Sequence, residues 1–400
     1  MKKQPTNQPY LRKINRHAVF DLLRVEPLSS AEIAKRLGLS VTAIAKITSE
    51  MVKKKLLIRE QASVEKGRPP QILRINPNAG LVAAIDFSTE NVLIVLSDLS
   101  GRIIGRDQVN NSFIITDTVL FEVVERLTAL CSLPKARRRE LLTIYVASPG
   151  KIDDTSGEFV EAYRFAVSPS CNLKTLLLNS FNCRVFIKND VKLSIEGELR
   201  FGKLSSETKN ALMFYADAGV GTALMLNGEI YEGNDGFAGE IESFTLHLTD
   251  SYSTNKESLS LLLTLPGMVK RYNKALSSSD YPTEQHKAST FEDLLTNYLS
   301  EEATAVSVVH ESARILGRML YNLCSFLNLN TVVINGGITA FGDRFLQPVN
   351  DMITELSHGS NINLMFSGLK ERAAVVGALA LAKADAQDTL LSRIDEEAIE

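Results

Sequence analysis

One arrangement of short apolar runs occurs twice in this 400-residue chain, and it constrains the fold more than any other feature. In the first copy, Leu81–Ile85 ends in Asp86, Val92–Leu96 follows, and the turn Asp98-Leu99-Ser100-Gly101 leads into Arg102–Ile104. In the second, Ala211–Tyr215 is closely followed by Asp217, then Thr222–Leu226, the turn Asn227-Gly228 and Glu229–Tyr231. Both read strand, acid-bearing turn, strand, hairpin turn, strand. Each copy leads through helical stretches to a buried strand ending in small residues: Leu142–Ala147 before Ser148-Pro149-Gly150, and Thr331–Ile334 before Asn335-Gly336-Gly337. A repeated meander with crossover strands predicts two similar α/β lobes and a site in the cleft between them.

The chain is too long for one ordinary core, and two or three domains are expected. With 44% apolar and 23% charged residues it is globular rather than disordered. No run approaches the ~18 apolar residues of a spanning helix, which excludes a membrane protein. Residues 1–10 carry two lysines but no apolar core of a secretion signal. The four cysteines (Cys131, Cys171, Cys183, Cys324) are scattered, which excludes a disulfide scaffold or a CxxC metal knuckle. A reducing cytoplasm is the expected location.

The net charge of −3 conceals an asymmetry. Residues 1–80 hold 16 Lys and Arg against 6 Asp and Glu, a net of +10, whereas the remainder nets −13. A small basic head on an acidic body suits a polyanion partner for the head alone. Leu11, Ile14, Val19, Leu22 and Leu23 recur at helical spacing up to Pro27. Ser29 or Ser30 caps a second helix with Ile33, Ala34 and Leu37 inward, and Gly38 turns the chain. Ser40 caps a third helix from about Val41 to Lys54, with Ile44, Ile47 and Met51 inward and Thr42, Ala43, Lys46 and Ser49 outward. Two short strands, Leu57–Arg59 and Gln71–Ile75, flank a loop containing Lys66, Gly67 and Arg68. This order predicts a winged helix-turn-helix whose third helix enters the DNA major groove. Ser40, Thr42, Ala43 and Lys46 are its candidate DNA-binding residues, with Lys53 and Lys54 on phosphates and Arg68 in a minor groove. Ile75–Gly80 reads as a linker. The expected divisions are 1–78 for the head, 79–203 for the first lobe and 204–400 for the second, with the C-terminal helices free to pack back on the first lobe.

In such a cleft, acid-bearing turns can hold a magnesium–phosphate only where glycines let the backbone approach. The first turn, Asp86-Phe87-Ser88-Thr89-Glu90, has no glycine, while Asp217-Ala218-Gly219-Val220-Gly221-Thr222 keeps two. A different group is better suited to a ligand. Val185–Asp190 is a strand ending in Asn189-Asp190, and Phe237–Ile241 places Glu240 on a Gly-flanked turn; a helix is expected from Ser194 to Gly202. An amide, a carboxylate and a second carboxylate match the donors and acceptors of a polyol, and Asp190 has the chemistry of a general base. The Asn-Asp pair serves equally well as a helix cap, and the residues alone leave both uses open.

Several segments together resemble the ROK family (repressor, open reading frame, kinase) over essentially the whole chain. They are residues 67–80 (GRPPQILRINPNAG), 147–153 (ASPGKID), 185–202 (VFIKNDVKLSIEGELRFG), 236–244 (GFAGEIESF), 330–338 (NTVVINGGI) and 375–382 (VVGALALA). The chain resembles the family's repressors of the xylose and N-acetylglucosamine type. The resemblance implies an α/β protein: a winged helix-turn-helix followed by a two-lobed actin/hexokinase-like (ribonuclease H-like) body. It implies a sugar site with Pro149 and Gly150 on a facing loop, Asn189 and Asp190 as the catalytic and sugar-binding pair, and Glu240 as a sugar ligand. It places Gly336 and Gly337 on the adenosine side, and implies a homodimer or tetramer on double-stranded operator DNA.

The departures from the family pattern shape the expected function. The kinase Asp-x-Gly-Gly-Thr loop is replaced by Asp86–Glu90, and the second phosphate loop reads Asp217–Gly221. Ser243 stands where the family's zinc-binding His would be, and residues 247–263 contain no cysteine. We therefore expect no metal, no cofactor, no catalytic residue and no kinase activity. The expected function is a DNA-binding regulator, a repressor of carbohydrate-metabolism genes, whose body senses a sugar or sugar derivative. The alternatives are an ATP-dependent sugar kinase with an appended head, or a body that docks a protein partner without a small ligand.

Overall fold

A computed structural model describes residues 8–61, 71–112, 114–153, 156–161, 166–167, 172–241, 245–246, 257–277, 287–357 and 361–397. Arg68, Lys66 and Gly67 of the expected wing tip lie outside the described residues, as does Ser243. No helix among the described residues is long and apolar enough to cross a membrane.

Among its described residues the head has three helices, Gln8–Val25, Ser30–Leu37 and Val41–Lys53, and three strands. Ser29, not Ser30, is the cap of the second helix. Its side chain accepts from the Glu32 amide while the Glu32 carboxylate accepts from the Ser29 amide, a reciprocal pair that defines the helix start. Gly38 closes that helix in the left-handed conformation, at φ +66°. The strands Leu57–Gln61 and Gln71–Ile75 pair antiparallel, and a short strand at Leu28–Ser29, not legible in the sequence, adds to the second of them. Ile44, Ile47 and Met51 are buried as their spacing predicts. On the first helix the outcome is mixed: Val19, Phe20 and Leu23 are buried, but Leu11 and Ile14 are 41% and 45% exposed. That half of the helix is held by charge instead of apolar packing.

The body carries the repeat at sheet level. In spatial order the first sheet is Arg184–Asn189, Leu141–Ser148, Leu81–Asp86, Asn91–Asp98, Ile103–Asn110. Read from its opposite edge, the second has the matching order: Asn363–Phe366, Thr331–Asn335, Ala211–Ala216, Val220–Leu226, Glu229–Ile230. In both, three strands form an antiparallel meander, a fourth pairs in parallel with its first strand, and a fifth pairs in parallel with the fourth. Strands 81–86 and 141–148 are buried along nearly their whole length, as parallel strands covered on both faces should be.

The helix Ala373–Glu397 ties the parts together. Its stripe Ala374, Ala378, Ala382 and Ala386 recurs every fourth residue and is buried. With Leu391 and Ile394, this stripe belongs to one apolar cluster that also contains Val82 and Leu142 of the first sheet and Val19, Ile44 and Met51 of the head. The acidic C-terminal helix is therefore packed against both body and head.

Candidate functional site

Asn189 and Ser148 are register partners at the ends of parallel strands, so the Pro149-Gly150 turn and the Asn189-Asp190 pair leave the sheet side by side. The Asn189 amide group donates to the Gly150 carbonyl at 3.2 Å. Its side-chain oxygen accepts from the Val191 and Lys192 amides at 2.9 and 3.2 Å, which makes Asn189 the cap of the helix Asp190–Phe201. The helix thus begins four residues earlier than Ser194, because a capping side chain in the strand's last position lets it start at once. Both uses that the sequence left open for the pair are present: Asn189 caps, and Asp190, only 5% exposed, sits in the first turn where the helix dipole favours a negative charge.

Glu240 arrives from the other lobe. Gly239 has φ +95°, and a Cβ there would lie 2.2 Å from the Thr222 carbonyl oxygen. Only glycine fits so close an approach. The Thr222 hydroxyl and amide both donate to the Gly239 carbonyl, at 2.8 and 3.1 Å, and hold the turn against the strand. A second clamp lies just upstream. Lys188 donates to Glu232 at 2.8 Å, while buried Lys192 pairs with the same carboxylate and donates to the Gly236 carbonyl. Burial pushes the Glu232 carboxyl up, but the hydrogen bonds from Lys188 and Lys192 outweigh it and hold the group below the usual carboxylate range. Thr222, Lys188, Lys192 and Glu232 were not singled out from the sequence, where an isolated lysine four residues from another carries no signature.

Pro149, Gly150, Asn189, Asp190 and Glu240 all line one small cavity, together with Tyr215 and Gly221. It offers carboxylates and amide groups on facing walls, the set that hydroxyl groups need. The first acid-bearing turn is arranged differently from a phosphate cradle. The Phe87 side chain is fully buried in the first lobe's core. What engages the turn is Asp86, whose carboxylate accepts from the Ser88 amide at 2.8 Å.

On the head, Ser40 caps the third helix by accepting from the Ala43 amide at 3.1 Å. Thr42 and Lys46 are exposed on its outer face, Ala43 is half-buried, and Lys53 and Lys54 are exposed at its far end. Small groups at the start and cations along the outer face leave room for a duplex. On the other side of this helix, Glu50 accepts from Arg12 at 2.8 Å and from Arg16 at 3.4 Å. Arg16 is 2% exposed and is shared with Asp395 of the C-terminal helix, which also accepts from His17. Arg24 pairs with Asp388 two turns earlier on the same helix.

A family model described as the ROK family matches residues 82–385. The chain is 24% identical over 397 residues to the xylose repressor of Caldicellulosiruptor bescii, covering 95% of this chain and 98% of that one. It is 22% identical over 385 residues to the DNA-binding transcriptional dual regulator NagC of Escherichia coli, covering 94% of each. Among solved structures, a ROK family transcriptional regulator, a homologue of the E. coli MLC protein, superposes with a TM-score of 0.79 over 97% of this chain and 99% of that one, at 19% identity.

Proposed function

The chain belongs to the ROK family, and from that membership we propose that it is a sugar-responsive, DNA-binding transcriptional repressor of carbohydrate-metabolism genes, acting in the cytoplasm as a homodimer or tetramer. The observation that carries this reading is an unbroken packed path between the two candidate sites. The helix Asp190–Phe201 begins in the sugar cavity. It crosses the helix Ala373–Glu397 at backbone contact: a Cβ on Gly377 would lie 1.8 Å from the Leu193 carbonyl oxygen, and one on Gly197 2.3 Å from that of Ala373. The far end of the second helix holds Arg16 through Asp395, and Arg16 in turn meets Glu50 on the recognition helix. A sugar that binds one arrangement of the lobes better than another can bias the heads only by such differential binding, and DNA and sugar must then weaken each other reciprocally.

In this reading Asn189, Asp190, Glu240 and the Pro149-Gly150 turn hold the sugar. Ser40, Thr42, Ala43, Lys46 and Arg68 face DNA bases or grooves, and Lys53 and Lys54 meet phosphates. The body is non-catalytic, which is supported by the engagement of the Ser88 amide by Asp86 where a kinase would present an open, glycine-lined turn.

The test is a thermal-shift screen of the full chain against sugars, sugar phosphates and Mg-ATP, followed by titration of a duplex selected by the chain from a random pool. A ligand that binds the folded state raises the midpoint. We expect a sugar hit that is lost in Asp190→Ala, no turnover of ATP, and duplex affinity that falls at least fivefold when the sugar is present. ATP-dependent phosphorylation of the sugar would replace this reading with the kinase.

A further inference from the structure

A second cavity, of about 240 Å³ against about 40 Å³ for the first, adjoins the sugar site, and Asp190 and Tyr215 line both. Its other walls include Ser88 of the first acid-bearing turn, Asp217 of the second, Asn335 at the end of the strand Thr331–Asn335 with the Gly336-Gly337 pair that follows it, and Lys370 and Glu371 ahead of the C-terminal helix. Its position beyond Asp190 is where a phosphate-bearing ligand would be looked for, yet its chemistry is wrong for one. Three acidic side chains, Asp190, Asp217 and Glu371, face a single lysine, Lys370. The amide of Ser88 is already donated to Asp86, so that turn presents no amide nest for an anion. Asn335 is 2% exposed, and its side-chain oxygen has no hydrogen-bond partner. Buried acceptors are almost always satisfied, and this one requires an O–H or N–H donor.

We propose that the effector is a two-unit glycoside whose first ring lies against Asn189, Asp190 and Glu240 and whose second, uncharged and rich in hydroxyl donors, fills this second chamber. The proposal rests on the sugar-sensing reading above. Ring hydroxyls of the second unit donate to Asp217, Glu371 and the Asn335 oxygen, and Lys370 donates to a ring or hydroxyl oxygen. A phosphate in the same place would share one cavity with three acidic residues, and like charges repel.

The experiment is calorimetric titration of the full chain with matched pairs: xylose and xylobiose, glucose and cellobiose, N-acetylglucosamine and its β-1,4 dimer, with N-acetylglucosamine 6-phosphate alongside. The expected result is one disaccharide that binds at least tenfold tighter than its own monosaccharide. Two variants on the rim of the second chamber, Ala340→Phe on an exposed turn and Thr89→Phe on a half-buried loop, should weaken that disaccharide at least tenfold and leave the monosaccharide within twofold. Their thermal midpoints, compared with the parent chain, show that they fold. Disaccharides no tighter than monosaccharides, or indifferent to both variants, overturn the proposal and leave the sugar reading standing. Tighter binding of the 6-phosphate than of every disaccharide also overturns it, in favour of an anion site. Silence from every sugar, single or paired, overturns both.

Discussion

Arg16 is the residue on which the link between head and body turns. A guanidinium 2% exposed is costly unless paired, and this one is paired twice, with Asp395 and Glu50. Asp395→Ala is expected to cost about 3 kcal/mol, because removing one partner of a buried pair leaves the other charge uncompensated. Chemical denaturation measures it, and the double variant Asp395→Ala/Arg16→Met should recover part of the loss. A second residue-scale expectation concerns Lys46. It is exposed on the outer face of the recognition helix, so Lys46→Glu should abolish discrimination between the selected duplex and random DNA without changing the thermal midpoint by more than a few degrees. Retained discrimination would mean that another face reads the bases. Arg16 itself was not legible as a keystone, since its partners are 34 and 379 residues away. Asn189, Asp190 and Glu240 were legible because each sits in a short motif whose neighbours are small or capping residues.

At the scale of elements, two junctions decide how the parts respond. The first is the crossing of the helices Asp190–Phe201 and Ala373–Glu397 over Gly197 and Gly377. Gly377→Ala places a Cβ against backbone on the facing helix, and neither side can yield by a side-chain rotation. We expect a loss of about 3 kcal/mol, at the upper end of overpacking costs, together with a weakened effect of sugar on DNA binding. The second is the clamp of Lys188 and Lys192 on Glu232, which steadies the segment leading to Glu240. The Glu232 carboxyl is held below its ordinary value, so its stabilising contribution is complete above the unfolded carboxylate range, near about pH 4.3, and is lost as pH falls through the lower folded value. Glu232→Gln should therefore weaken sugar binding at pH 7 and flatten the acid limb of the stability profile, as read by thermal unfolding from pH 3 to 7. Elements were read well where periodicity was strong. The meanders and the buried strands follow from short continuous apolar runs, and the helix-turn-helix from a period near four. The strand Leu28–Ser29 and the early start of the helix at Asp190 were missed, because two residues carry no period and a cap overrides propensity.

For the whole molecule, the two sheets of matching order show that the repeat seen in the sequence is architectural. What the sequence could not show is that the head shares its apolar cluster with the C-terminal helix and the first sheet. Local patterns report which face of a helix is buried, not which distant element buries it. The basic head predicts that log affinity for duplex DNA falls linearly with log salt, by about 0.9 per phosphate neutralised. A flat response would be incompatible with Lys53 and Lys54 as phosphate contacts. In an assembly with paired heads, half-sites should be spaced by one helical turn of DNA or a multiple, about 34–36 Å per turn.

The pairing of Arg16 with Asp395 also orders events in time. The two residues are separated by 379 positions, so at synthesis rates of about 5–20 residues per second the head waits roughly 20 to 75 s on the ribosome before its anchor is made. During that interval the three helices of the head can form, but the helix that seats them does not exist. In the proposed reading, coupling of head to body waits until the helix carrying Asp395 has been made, and a chain cut before that helix would carry a DNA-binding head without its anchor.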